Sequence, residues 1–233
     1  MYEAVHARPD GTSTVARLAR TAGAFGFDGI VVRNHGGDPA SYDPADVASA
    51  TGVNVVTGVE VRAEDPSTAS GYVGNHRPDR TVVVVHGGDP EINRFAVEQP
   101  AVDVLAPPMA GDGDLNHVLA RAAAANGVRL EVNLGPILRE RGGTRVRAIA
   151  DRRKLRELIE QYDVPFVVSA DPASHLELRA PRELVALCEL VGFEAAQAEA
   201  GLREWGRLAE RNRERQSDRF VESGVRDGPA EDG

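Results

Sequence analysis

Seven short apolar segments recur along the chain and alternate with segments of helical periodicity. The apolar segments are mostly continuous and rich in β-branched residues, as expected for strands that are buried on both faces. Their starts lie 21 to 36 residues apart, which leaves room for one helix and two loops in each interval. The predicted strands lie near Glu3–His6, Gly29–Arg33, Val53–Val61, Thr81–Val85, Val102–Ala106, Val128–Leu134 and Val164–Ala170. This rhythm predicts parallel βαβ units.

Two of the intervening segments carry clear helix signals. TSTVARLARTAGAF places its apolar residues on one helical face, and so does DRRKLRELIEQY, in which Asp151 is expected to be the N-cap. In the second helix the basic residues Arg152, Arg153, Lys154 and Arg156 are expected to lie off the buried stripe.

The repeat predicts an α/β fold, a distorted TIM-like β/α barrel of seven to eight parallel strands. A length of 233 residues suits one such domain. Leu190–Phe193 is the expected short, irregular eighth element. We predict a barrel domain over residues 1–197, a charged and exposed C-terminal helix over residues 198–219, and a disordered acidic tail over residues 220–233.

Composition narrows the functional class. No apolar run approaches the roughly 20 residues that a membrane span needs, and the N-terminal MYEAVHARPDG lacks the pattern of a signal peptide. We therefore expect a cytoplasmic protein without a membrane partner. The single cysteine, Cys188, lies in an apolar run and is expected to be an inert core thiol.

The net charge of −9 at first argues against a nucleic-acid partner. Arginine supplies almost all of the positive charge, since Lys154 is the only lysine. An acidic, lysine-poor chain is expected in a proteome adapted to high salt, and GC-rich coding could equally explain the arginine.

The positive charge is concentrated in one window. Between Arg139 and Arg156 there are eight basic residues and only two acidic ones. If the segment is extended, Arg145 and Arg147 project from one side, and Gly142 and Gly143 allow a close backbone approach. Arginine can form paired hydrogen bonds with phosphate. Because no aromatic residue lies in the window, the pattern favours recognition of RNA shape and backbone over stacking on bases.

The expected carboxyl ends of the strands carry histidines and carboxylates, the usual place for function in β/α folds. These residues are His6, Arg33, His35, Glu60, Arg62, His86, Glu131, Asn133, Asp171 and His175. Such a set is typical of metal-dependent phosphoesterases, including the barrel superfamily of polymerase-and-histidinol-phosphatase enzymes. That superfamily opens with two histidines separated by one residue, whereas this chain has His6-Ala7-Arg8. We therefore predict no catalytic residue and no metal ligand, with a stand-alone metal-dependent phosphoesterase as the alternative.

The pentapeptide HGGDP occurs twice, at His35–Pro39 and at His86–Pro90, each time after a predicted strand. Each copy offers a glycine-rich turn followed by an Asp-Pro pair that could open a helix. Convergent turn chemistry explains the repeat, and a phosphate-binding turn is the weaker reading.

Longer segments resemble a known family. They are VHGGDPEINRFAVEQPAVDVLAPP, GVRLEVNLGPIL, GVEVRA and the stretch from GGTRVRAIADRRKLRELIEQYDVPF to ELVALCELVGF. They are similar to ribonuclease P protein component 3, a subunit family shared by archaea and eukaryotes. The likeness runs from about Tyr2 to about Gln197.

The resemblance implies a barrel related to the polymerase-and-histidinol-phosphatase fold, in the ribonucleoprotein endoribonuclease that removes the 5′ leader from precursor tRNA. It implies that the protein binds and stabilises the catalytic RNA without catalysing the reaction, and that it holds no cofactor while Mg²⁺ acts on the RNA. The implied partners are the ribonuclease P RNA, precursor tRNA indirectly, and other protein subunits, above all the Pop5-like component 2. The family is usually lysine-rich and basic, so this acidic chain departs from it.

Candidates for RNA contact combine strand-end positions, a helix position and the basic window. They are Arg33, Arg62, His86, Arg94, Arg139, Arg145, Arg147, Arg152, Arg153 and Lys154.

Overall fold

The computed structural model of the protein describes residues 1–111, 113, 115–217, 220–222 and 225–226. Seven strands form one parallel sheet in chain order, each hydrogen-bonded to the next. They are β1 (Tyr2–Val5), β2 (Gly29–Val32), β3 (Asn54–Val61), β4 (Val82–His86), β5 (Val104–Ala106), β6 (Arg129–Asn133) and β7 (Phe166–Ser169). All seven predicted strands are therefore confirmed.

Nine helices in the described part of the chain accompany the sheet. They are α1 (Val15–Ala24), α2 (Pro44–Thr51), α3 (Pro66–His76), α4 (Pro90–Glu98), α5 (His117–Asn126), α6 (Gly135–Arg139), α7 (Gly142–Tyr162), α8 (Pro181–Val191) and α9 (Ala195–Arg215). The sheet curls into a nearly closed barrel with these helices around it, which confirms the predicted fold class. Cys188 is fully buried in α8, and burial raises the pKa of its thiol to about 12.

The barrel has a seam between β1 and β7, which share no backbone ladder. Buried Glu3 bridges the seam. Its Oε1 accepts hydrogen bonds from the Ser169 hydroxyl (2.6 Å), from the Ala4 amide (3.0 Å) and from the Ala170 amide (3.2 Å). Burial raises the pKa of this carboxyl to about 7, although its hydrogen-bond donors oppose the shift. A side chain therefore takes the place of an eighth strand here.

The expected eighth element is wrong. Leu190 and Val191 are the last residues of α8, which stops at Gly192 with a φ of 105°. Phe193 then turns into the core and stacks on Phe166, with ring centroids 5.1 Å apart. A left-handed residue at this point ends the helix and leaves no extended segment to pair with β7.

Helix α9 was expected to be exposed, and this prediction is wrong. Leu202, Trp205, Leu208 and Ala209 are buried, and the last three pack with the valines and alanines of the barrel interior. The indole Nε1 of Trp205 donates to the Val168 carbonyl at 2.9 Å, on the edge of β7 that faces the seam. Apolar residues at helical spacing inside a charged segment made this burial possible.

The same helix closes the amino-terminal end of the barrel. Asn212 donates to the Thr81 carbonyl and to the Asp103 carboxylate, both at 2.8 Å, at the starts of β4 and β5. Gly206 lies against the ring of Tyr2 at the start of β1. Because α9 covers this end, the opposite end of the barrel is where polar side chains meet solvent.

Two helix starts differ from the predictions. Helix α7 begins at Gly142, so Asp151 lies in its middle and is not an N-cap. In the second HGGDP copy, Asp89 caps α4 and Pro90 opens it. In the first copy the next helix begins only at Pro44, behind Asp43.

The C-terminal tail was predicted to be disordered over residues 220–233. Two short strands, β8 (Phe220–Glu222) and β9 (Val225–Arg226), pair there in antiparallel fashion. The prediction is wrong for these strands, and the rest of the tail lies outside the described residues.

Candidate functional site at the carboxyl end of the barrel

Polar side chains from six strand ends converge at the open end of the barrel. His6 follows β1 and Arg33 follows β2, and the other contributors belong to or follow β3, β4, β6 and β7. They are Glu60, His86, Glu131, Asn133 and Asp171. Parallel strands bring their carboxyl ends to the same rim, so residues far apart in sequence meet here.

Arg33 lies at the centre of this cluster and is only 1% exposed. Its Nη2 is 2.7 Å from both Glu131 Oε1 and Asp171 Oδ1, and its Nη1 is 3.3 Å from Glu60 Oε2. The guanidinium also faces the ring of Trp205, 5.9 Å from its centroid. One buried cation therefore holds three carboxyl groups together at the carboxyl ends of the strands.

The acids respond differently to this cation. Burial alone would raise the pKa of Glu60, but Arg33 and the neighbouring His35 and His86 hold it well below its usual range. Desolvation would also raise the pKa of Asp171, which is only partly buried, but Arg33 and His6 keep this pKa well below normal. Burial raises the pKa of Glu131 to about 8. The nearby Arg33 opposes this shift, but no aligned hydrogen bond reaches the carboxyl. The cluster around Arg33 thus contains two ionised acids, Glu60 and Asp171, and one carboxyl, that of Glu131, which is protonated more easily.

Asp10 connects two histidines above the arginine. It accepts from His6 Nδ1 at 2.6 Å, from His35 Nδ1 at 2.8 Å and from the His35 amide at 3.0 Å. The two rings stack with centroids 5.0 Å apart. Burial alone would lower the pKa of His6, but its contacts with Asp10 and Asp171 raise it to about 9. Asp10 was missed in the sequence, where it stands in the unremarkable turn segment RPDGT.

The remaining histidine of the rim, His86, contacts Glu60 Oε1 through Nδ1 at 2.5 Å. The rim contains two groups of three potential metal ligands, and His35 belongs to both. Within each group the ligand atoms lie within 4.8 Å of one another. The first is His6, Asp10 and His35, and the second is His35, Glu60 and His86. The rim therefore brings together the side-chain types that bind transition metals.

Two candidates for RNA contact are buried, and for them the prediction is wrong. Arg33 is enclosed by carboxylates, as described above. Arg152 is 6% exposed, and its Nε donates to the Asn133 carbonyl at 2.8 Å. Because α7 continues through this region, Arg152 falls on the stripe that faces the barrel.

The other candidates are at least partly accessible. Arg62 and His86 line a groove at the open end, and Arg94 is exposed on α4 and paired with Glu98 at 3.0 Å. Arg139 donates to the Ala170 carbonyl at 2.9 Å. The remaining four lie exposed on α7 and are Arg145, Arg147, Arg153 and Lys154. Arg145 and Arg147 stand in a helix, so they do not share a face as an extended segment would require.

Comparison with known proteins identifies the chain. The family model described as RNase P subunit p30 matches residues 1–217.

The chain belongs to the ribonuclease P subunit p30 family.

Curated relatives agree with this membership. Proteins named ribonuclease P protein component 3 are 64% identical in Haloarcula marismortui, 58% in Natronomonas pharaonis and 40% in Methanosarcina mazei. The alignments cover 97%, 100% and 83% of this chain, and 96%, 99% and 81% of the respective relatives. This chain is a ribonuclease P subunit, and the alternative of a stand-alone phosphoesterase is not supported.

Solved structures confirm the fold. A chain in the cryo-EM structure of archaeal ribonuclease P with mature tRNA superimposes with a TM-score of 0.83 at 22% identity, covering all of both chains. A histidinol phosphate phosphatase from Lactococcus lactis, complexed with zinc, L-histidinol and phosphate, gives a TM-score of 0.54 at 12% identity. That match covers 83% of this chain and 94% of the phosphatase. The p30-type subunit therefore shares its barrel fold with both of these structures.

A membrane span would need a long apolar helix. Among the described residues of this p30-type subunit, no helix is long and apolar enough to cross a membrane.

Proposed function

We propose that the exposed arginines at the start of α7 bind the RNA of ribonuclease P and that catalysis stays with the RNA and its Mg²⁺. The observation that carries this proposal is that some arginines of the molecule are paired with carboxylates and others are not. Arg33 is enclosed by carboxylates, whereas the arginines at the start of α7 face solvent.

The start of α7 projects from the barrel. Every residue from 139 to 147 is exposed. Within the described part of the chain, Arg141, Arg145 and Arg147 have no carboxylate within ion-pair distance. This local excess of positive charge is available to an anionic partner even though the whole chain is acidic.

The backbone strengthens the attraction for phosphate. Arg141 occupies the N-cap position without a side-chain cap, and the first turn has no acidic residue. The free amides of a 21-residue helix therefore face outward with the positive end of its dipole. Gly142 adopts a φ of 57°, and no other part of the described chain lies within 4 Å of a Cβ built on it or on Gly143. A phosphate can therefore approach this turn closely.

The chemistry of the surface favours the RNA backbone over its bases. Arginine forks match phosphate oxygens, and no aromatic ring lies between residues 139 and 156 to stack on a base. We infer that the surface screens repulsion between RNA phosphates, which lets the RNA fold and hold Mg²⁺ at lower ionic strength. Arg62, His86 and Arg94 remain candidates for a second contact.

Binding to the ribonuclease P RNA tests the surface directly. In Arg145→Glu/Arg147→Glu we expect an affinity loss of about 10-fold or more at low salt. The matched control is Arg17→Glu/Arg20→Glu on α1, which makes the same change in net charge at exposed positions. Equal losses in the two variants would show a general charge effect and contradict a local RNA surface.

Reconstitution tests the division of labour. The purified subunit alone should not cleave precursor tRNA, and it should lower the Mg²⁺ concentration at which the RNA with its other proteins does so. Cleavage by the subunit without RNA, if abolished in the Glu60→Gln variant, would contradict a non-catalytic role.

The family resemblance also supports a protein partner, the Pop5-like component 2, and action in the cytoplasm together with the RNA. Co-purification of the two untagged subunits, with and without the RNA, measures whether they pair directly.

A further inference from the structure

We propose that the rim of the barrel binds one divalent transition-metal ion, of the zinc class, between His35, Glu60 and His86. Donor atoms of these three residues lie within 4.8 Å of one another. They come from the ends of three adjacent strands, so paired backbone fixes their relative positions. The site is independent of the RNA surface on α7.

The hydrogen bonds of Asp10 orient His35 as a ligand. Because His35 Nδ1 and its backbone amide both donate to the Asp10 carboxylate, Nε2 is the nitrogen that faces the cluster. A carboxylate behind the far nitrogen of a histidine is the usual support of a metal-binding imidazole. Asp10 thus prepares His35 without itself being required as a ligand.

The second observation is that His35 Nε2 has no hydrogen-bond partner although it is buried. The nearest acceptor is Glu60 Oε1 at 3.4 Å, beyond a good hydrogen bond. Two ligand atoms of a tetrahedral zinc ion are separated by about 3.3 Å, given bonds of about 2.0–2.1 Å. The spacing of this orphan nitrogen from Glu60 therefore suits a shared ion better than a shared proton.

The two oxygens of Glu60 face different groups. Oε2 faces Arg33 Nη1 at 3.3 Å, whereas Oε1 faces His35 and His86. His86 Nδ1 lies 2.5 Å from Oε1, so its ring must move by roughly 1 Å to reach tetrahedral spacing. Its side chain is 32% exposed and borders a groove of about 680 Å³, which gives both the freedom to move and a route for the ion.

Arg33 keeps a second ion away from the far side of Glu60. The guanidinium of Arg33 occupies the space among Glu60, Glu131 and Asp171, where a second cation would otherwise be held. Two imidazoles and one carboxylate form a donor set that favours zinc over magnesium, which prefers oxygen ligands alone. We assign the ion a structural role, because it would join the ends of β2, β3 and β4.

Metal analysis of the untagged, full-length protein tests the site. After stripping with a chelator and dialysis against Zn²⁺, we expect one zinc per chain, and bound Co²⁺ should show the visible absorption of tetrahedral coordination. In His86→Ala the affinity for zinc, measured by competition with a chromophoric chelator, should fall at least 10-fold. The control is His117→Ala at the exposed start of α5, which should bind as the wild type does.

Folding is monitored separately. Zinc should raise the melting temperature of the wild type and of His117→Ala, but not that of His86→Ala, while circular dichroism shows all three to be folded. If His86→Ala does not fold, His86→Gln replaces it with the same expected loss of zinc affinity. Wild-type protein that retains far less than one zinc, or a folded His86 variant that retains full affinity, would overturn the proposal. Neither result depends on RNA binding.

Discussion

Two regions of this subunit are rich in positive charge, and they use it in opposite ways. At the rim, Arg33 is buried and surrounded by Glu60, Glu131 and Asp171. At the start of α7, arginines of the same chemistry stand in solvent without an acidic partner among the described residues. Burial and pairing, and not residue type, therefore decide whether an arginine supports the fold or faces a partner.

The difference between these two regions also explains how a chain with a negative net charge can have an RNA partner. A total of −9 describes the average surface and says little about one helix end. Exposed charges act over about 8–10 Å at moderate salt. A segment that projects from the barrel is therefore governed by its own arginines, which makes an acidic chain compatible with an RNA partner.

Removing the buried cation should have the largest effect. Arg33→Met leaves three acids without their shared partner, and we expect the free energy of unfolding to fall by about 3–5 kcal/mol. Urea denaturation measures this loss. Arg33→Lys keeps the charge without the fork and should lose less. If Arg33→Met is as stable as the wild type, the two regions do not differ as described.

A neighbouring pair within α7 provides an internal comparison. Arg152 is buried and bonded to the Asn133 carbonyl, whereas Arg153 is exposed. We expect Arg152→Met to cost about 1–3 kcal/mol of stability with little change in RNA affinity. Arg153→Met should cost less than about 0.5 kcal/mol. Urea denaturation measures both losses. Equal losses of stability in the two variants would contradict the distinction between a buried and an exposed arginine.

Salt dependence should separate the regions without a large change in stability. Log affinity falls with log salt, and each lost phosphate contact makes this negative slope shallower by about 0.7–0.9. Arg145→Ala/Arg147→Ala should therefore reduce the magnitude of this slope by roughly 1.4–1.8. Filter binding over a salt series gives the slope. An unchanged slope would remove these two residues from the RNA contact.

The smallest effect concerns Glu3 in the seam near Arg33. Its pKa rises from 4.5 to about 7 on folding, so the folded chain binds a proton more tightly than the unfolded chain. The stability from protonated Glu3 is present below pH 4.5 and is lost as the pH rises to about 7.

Glu3→Gln keeps an acceptor at Oε1 and should flatten this decline by less than about 1 kcal/mol per pH unit. Denaturation curves at several pH values, compared with the wild type, test it. The same decline in Glu3→Gln and in the wild type would show that folding does not shift the pKa of Glu3.

Local patterns in the sequence were sufficient for much of the fold. The valine-rich runs predicted all seven strands, because a strand buried on both faces must be continuously apolar. The spacing of these runs predicted parallel order and hence the rim where His6, Glu60 and His86 meet. The missing second histidine after His6 weighed against a stand-alone phosphoesterase, an alternative that the relatives do not support, and the resemblance over most of the chain identified the family.

Contacts between distant segments could not be predicted in this way. The role of Arg33 depends on acids about 27, 98 and 138 residues away, and no local pattern separates it from Arg62. Arg152 was misassigned because the helix was expected to begin at Asp151 instead of Gly142. Helix α9 looked exposed because its charged residues outnumber the few apolar ones that pack into the barrel.

The sequence by itself thus determined the order and direction of the strands, the family, and the concentration of arginine between residues 139 and 156. Tertiary structure alone decided which arginines are neutralised, that α9 and Glu3 complete a seven-stranded barrel, and that Asp10 aligns two histidines at its rim. The physical reason is one of range. Burial patterns of strands and helices are set by neighbours in sequence, whereas the pairing of a charge is set by whatever the folded chain brings within a few ångströms.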